Sequence, residues 1–233
     1  MMIDRSGNLE SPWINYHQKP QSFIKFACLV GGWNLEKMGF DTSIYYEREG
    51  AMLRRYIDVT WMPPSVKSDD ADTTPAQGRL QVRKYQIIRV SYRETGVFGS
   101  GVVCWDAQEV GVANAEPVTI KDGWRNSARK PEASFLLKAA EKGVTGVTRL
   151  LIAQYEPEDP EKKTSTQNAR LLAPDAMVSN DGSPFIDMVH TRIVTERQTS
   201  IVNFKDRNHF LQAFFGAISG KPVLVNHQES PRD

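Results

Sequence analysis

The chain has 233 residues, of which 40 % are hydrophobic and 24 % charged, with a formal net charge of +1. That length supports one large domain or two small ones with a genuine core, and the composition is that of an ordinary globular protein. The near-zero charge argues against a nucleic-acid groove or attraction to a membrane surface. Two distant cysteines, Cys28 and Cys104, form neither a metal-ligand spacing nor a disulfide framework, which predicts a reducing compartment. The N-terminus carries no apolar targeting segment and no apolar run reaches the length of a membrane span, so a cytoplasmic or nuclear location is expected.

Taken in chain order, Phe23, Phe26, Ala27, Val30, Leu35 and Met38 recur at helical spacing between Ser22 and Met38, with an interruption at Gly31-Gly32. Arg54 to Trp61 and Gln81 to Tyr92 alternate apolar and polar residues and predict two strands. The polar, proline-rich stretch between them, residues 63–78, reads as a linker. A glycine-rich hairpin at Gly99-Ser100-Gly101 joins the second strand to Val102-Val103-Cys104-Trp105, and Val118-Thr119-Ile120-Lys121 predicts a third strand behind it.

Pro131 to Lys142 carries a proline in the first turn, a glutamate beside it and Gly143 just past the end, which predicts a helix. Val144 to Tyr155 reads as a strand and 157–184 as a long inserted loop. His190 to Thr195 reads as another strand, and 206–219 as an amphipathic helix. No internal repeat is visible, and the scattered histidines lie at no metal-ligand spacing, so no metal site is expected from them.

The order of elements is strand, glycine turn, strand, lysine-ended strand, helix, strand, strand, helix. Glycines let backbone amides approach phosphates, and a lysine ammonium pairs with phosphate oxygens, so this arrangement suits an ATP site. Taken alone, a Gly-x-Gly turn or a lysine ending a strand more often has no such role. Glu132 adds a separate indication. Leu136, Ala139 and Ala140 lie at i+4, i+7 and i+8 from it, so Glu132 heads the apolar stripe of its own helix and points toward the sheet and Lys121.

The segments Asp4-Arg5-Ser6-Gly7, Phe98-Gly99-Ser100-Gly101, Cys104-Trp105, Ile120-Lys121-Asp122-Gly123-Trp124-Arg125, 143–150 and Arg192-Ile193-Val194-Thr195-Glu196 resemble the fungal-type protein kinase family, in order from about Asp4 to Ile218. The resemblance implies an α+β fold: a protein-kinase-like small lobe, antiparallel sheet plus one helix, preceded by a helix and β-strand N-terminal region. It divides the chain into residues 1–92, a small lobe with the start of the large lobe over 93–219, and an unmatched tail over 220–233. It implies Lys121 and Glu132 as the catalytic pair, and Gly99, Gly101, Lys121 and the hinge residue Glu196 as contacts for ATP. Mg-ATP would be the cofactor and a protein hydroxyl the acceptor, with no nucleic acid or membrane among the partners. No His-Arg-Asp or Asp-Phe-Gly sequence follows, and no magnesium ligands are found. The expectation is a truncated, inactive kinase fragment; the alternative is a non-catalytic, pseudokinase-like interaction module.

Overall fold

The computed structural model describes residues 2–9, 15, 17–35, 40–63, 79–170, 185–198, 206–208, 210–211 and 214–215. In chain order the elements are β1 (Met2–Asp4), β2 (Gly7–Leu9), α1 (Pro20–Gly31), β3 (Ile44–Glu49), β4 (Met52–Trp61), β5 (Gln81–Arg93), β6 (Val103–Glu109) and β7 (Val118–Asn126). They are followed by α2 (Glu132–Glu141), β8 (Leu150–Ala153), α3 (Thr166–Arg170) and β9 (Met188–Glu196). The fold is α+β: β1 and β2 form a separate hairpin, and the other strands make a seven-stranded sheet in the order β3-β4-β5-β6-β7-β9-β8. Every pairing in it is antiparallel. β5 runs through position 92, so strands from before and after that point share one sheet. Among the described residues no helix is long and apolar enough to cross a membrane.

Strand alternation builds the core. Ile57 and Val59 of β4, Tyr85 and Ile87 of β5, Trp105 and Ala107 of β6, Val118 and Ile120 of β7, Ile152 of β8 and Val194 of β9 form one buried cluster. The sheet curls around it until its far ends meet. The Tyr155 amide, just past β8, donates to the Thr60 carbonyl of β4 at 2.8 Å. Period-two alternation then sends Asp122 to the core side of β7 and Lys121 to the other side.

Several local expectations are met and others change. α2 starts at Glu132 with Pro131 at its N-cap and buries Leu136 and Ala139, as the apolar stripe requires. α1 begins at Pro20, two residues before the predicted start, and stops at Gly31. Its Phe26 is 61 % exposed, so the helix does not bury the face its periodicity marks. The strand expected over 144–155 shrinks to Leu150–Ala153, because Gly143 and Gly146 adopt positive φ values of 63° and 78° that end extended pairing before it can start.

The front of the expected 157–184 loop is ordered. Pro160–Lys162 forms a 3-10 turn, and α3 follows, held by the Gln167 amide donating to Asp187 Oδ1 at 2.9 Å. Residues 171–184 lie outside the described set, as do the 64–78 part of the expected linker and half of the expected 206–219 helix. Apart from Asp206, a bend, the described residues of that helix are helical, with Phe210 stacked on Phe214.

Candidate nucleotide site

Lys121 and Glu132 open onto one cleft of about 580 Å³, lined among others by Val102, Arg125 and Phe135; the glycine turn reaches it through Ser100, and none of Gly99, Gly101 and Glu196 lines it. Lys121 Nζ lies 2.7 Å from Glu132 Oε2, so the strand lysine and the first residue of α2 form the expected ion pair. Both side chains are well exposed, 35 % and 49 %. Desolvation therefore does not force the pairing, and the pair adds little to stability.

Gly99 and Gly101 have φ values of 87° and 49°, which side-chain-bearing residues rarely adopt. The turn lies back on β7, where the Ser100 carbonyl accepts from the Trp124 amide at 2.8 Å. Gly123 permits this approach, because a Cβ there would meet Val102 Cγ2 at 3.2 Å and the Ser100 carbonyl at 3.4 Å. Cys104 is the register partner of Lys121; burial raises its thiol pKa, and the nearby Lys121 charge opposes that rise.

Glu196, at the end of β9, pairs with Arg149 at 2.7 Å and lies opposite Val118. It is thus three residues along the sheet from Lys121, about 10 Å at the usual strand rise. The glycine turn and Lys121 are brought together, while Glu196 stands at the other end of the strand pair. Beyond it, the Gln198 amide donates to Thr119 Oγ1 at 2.8 Å and folds the following segment back onto β7.

The sequence reading assigned no role to the charged network on the opposite face of β7. Arg192, 1 % exposed, donates to Asp122 Oδ2 at 2.9 Å, to Ser43 Oγ at 2.7 Å and to Asp41 Oδ2. His190 Nε2 lies 2.5 Å from Asp122 Oδ1, and its ring meets Trp124 edge-on at a centroid distance of 5.2 Å. Burial pushes the Asp122 carboxyl pKa up, but the His190 hydrogen bond and the Arg192 charge outweigh it and hold the pKa below its ordinary value. Asp41, Asp122 and His190 offer ligand atoms within 4.8 Å of one another. Nη2 of Arg192 already bridges the two carboxylates, so the cluster is a neutralised ion network and not a cation site. The available signal was the alternation within Lys121-Asp122-Gly123-Trp124, which puts its lysine and its aspartate on opposite faces.

The sequence reading also missed the contact of the β1–β2 hairpin with the glycine turn. Arg5 Nη1 donates to the Gly96 and Val97 carbonyls at 2.7 Å and 2.9 Å, and the Gly99 amide donates to the Arg5 carbonyl at 3.0 Å. Asp4-Arg5-Ser6-Gly7 is one of the segments that carried the resemblance, but nothing local in it points to a partner more than ninety residues away.

An antiparallel sheet with helix α2 packed against it, and a strand lysine paired to that helix beside a glycine turn, is consistent with a protein-kinase-like small lobe. The family model described as fungal protein kinase matches residues 1–230. The chain belongs to the fungal protein kinase family. No curated protein and no solved structure matches it.

Proposed function

We propose that this chain is the ATP-binding part of a protein kinase, in which Lys121 holds phosphate oxygens and Glu132 positions Lys121. The observation that carries this reading is the 2.7 Å contact between Lys121 and Glu132 in a cleft shared with Ser100 of the glycine turn. The donor set suits a polyphosphate: a fixed ammonium, and a turn whose Gly99 leaves open space where a Cβ would stand. Gly99 and Gly101 would cover the phosphates, and the backbone at Glu196 would take the adenine edge. ATP with Mg²⁺ would supply the transferable γ-phosphoryl group, and a protein hydroxyl of a soluble cytoplasmic or nuclear substrate would accept it.

Transfer also needs an aspartate at the acceptor hydroxyl and groups that hold the metal. The 233 residues contain no His-Arg-Asp or Asp-Phe-Gly sequence. We therefore assign nucleotide binding to them and not phosphoryl transfer. Calorimetric titration of the protein with ATP tests this. The wild type is expected to bind, and Lys121→Met to weaken binding about tenfold or more, the scale of a lost charge-assisted contact. No ATP binding by the wild type, or equal affinity in the variant, would count against the reading. The exposed Ile24 and Phe26 of α1 favour, as a second reading, a protein-interaction role for the N-terminal region that is indifferent to Lys121.

A further inference from the structure

The amide groups of the glycine turn already hold an anion. Glu94 Oε2 accepts from Ser100 Oγ at 2.8 Å and from the Val102 amide at 3.0 Å, and the Gly101 amide lies close enough to help stabilise the same carboxylate. These bonds, led by the one from Ser100, hold the Glu94 carboxyl pKa below its ordinary value. Successive backbone amides in a turn with positive φ form the kind of concavity that binds phosphate oxygens. Here a side chain from the turn's own flank fills it.

The N-terminal hairpin clamps the other side. Arg5 caps the Gly96 and Val97 carbonyls and accepts from the Gly99 amide through its own carbonyl. A Cβ at Gly101 would fall inside the Arg5 guanidinium. That cation also stabilises the Glu94 charge. Ser6, the next residue, donates to the Ile186 carbonyl at 2.7 Å and so ties the hairpin to the segment leading into β9.

We propose that Glu94 is a built-in competitor of phosphate: its carboxylate occupies the amide nest of the glycine turn and must leave before a polyphosphate can bind there, while Arg5 holds the turn closed over it. This rests on the reading of the cleft as a nucleotide site, since Ser100, Val102 and Lys121 line the same space. Once Glu94 swings out, the Gly101 and Val102 amides, Ser100 Oγ and the Arg5 guanidinium are left to receive the displacing anion. The glycine turn is then a self-liganded gate, and its affinity for phosphate is set by competition with one carboxylate.

The test is titration of the full chain with inorganic tripolyphosphate and, separately, with ATP, in wild type and Glu94→Gln. Amide hydrogen exchange at Gly101 and Val102 is followed alongside. The glutamine keeps the shape and removes the charge. Tripolyphosphate is expected to bind the variant about tenfold more tightly, the scale of one charge-assisted hydrogen bond removed from the competing state. Exchange at the two amides is expected to quicken. Unchanged or weaker tripolyphosphate binding in the variant overturns the proposal. Should Glu94→Gln fail to give a cooperative melt, Glu94→Asp, which keeps the charge and shortens the reach, is read in the same way.

The two readings fail differently. Tighter tripolyphosphate binding with no ATP binding in either form leaves the gate standing and removes the nucleotide. Lys121-dependent ATP binding with no effect of Glu94→Gln on either ligand does the reverse.

Discussion

Replacing Arg192 by methionine removes the guanidinium that bridges Asp122 and Asp41. Arg192 is 1 % exposed, and its loss leaves Asp122, itself 12 % exposed, with His190 alone on its carboxylate among the described residues. Breaking a buried ion pair by deleting one partner costs about 3–5 kcal/mol. Asp41 is 39 % exposed and is resolvated by water, which places the expected loss near the lower end, about 3 kcal/mol. For a chain of this size that is a fall in melting temperature of roughly 6–12 °C.

The pH dependence has a definite sign. Asp122 and Asp41 both titrate below the ordinary value of 3.8, so their stabilisation is present above that value and is lost as pH falls through the folded pKa. In Arg192→Met, burial acts on Asp122 with less opposition. Its carboxyl is protonated at higher pH than in wild type, and the stability gap narrows as the buffer is acidified. Urea unfolding followed by circular dichroism at pH 7 and again near pH 4 measures both effects. The double variant Asp122→Leu/Arg192→Met leaves no buried charge unpaired and is expected to regain more than half of the loss. An Arg192→Met protein within about 0.5 kcal/mol of wild type at pH 7, inside the scatter of neutral surface changes, would refute the argument. So would a double variant worse than the single one.

Glu132→Ala should separate binding from stability. The half-exposed pair with Lys121 and the helix-terminus effect together cost no more than about 1 kcal/mol, while ATP affinity falls because Lys121 loses its anchor. A loss of several kcal/mol in a denaturant titration would show that the pair is structural. Gly101→Ala forces a left-handed conformation at about 1–2 kcal/mol and displaces Arg5, so hydrogen exchange over residues 2–9 should quicken while β7 stays protected. Unchanged exchange there would mean that Arg5 does not hold the hairpin.

Most of the sheet was legible because alternation is a local signal. Gln81–Arg93 falls within a residue of its predicted run, and the predicted run Arg54–Trp61 lacks only Met52 and Leu53 of β4. β3, Ile44–Glu49, was missed because its fourth to sixth residues, Glu47-Arg48-Glu49, are charged, and the strand is exposed along most of its length. It earns its place through pairing with β4, a tertiary fact. α1 errs in the other direction: its periodicity promises a buried face that the described structure leaves exposed.

The residues themselves specify where most of the strands run and that Glu132 faces the sheet from the head of its helix. Those follow from spacings of two and of three to four residues, which any reader of the chain can count. The strand expected to end at Lys121 instead runs on to Asn126, carried by its pairing with β9. The company each charge keeps is another matter. Arg192 meets Asp41 from 151 positions away and Asp122 from 70, and Arg5 reaches Gly96 across 91. A curled sheet brings its own far ends together, and no local pattern encodes which carboxylate will be waiting there. The pairing of Lys121 with Glu132 could be foreseen from eleven residues; the buried network behind it and the carboxylate seated in the glycine turn became visible only when the chain closed on itself.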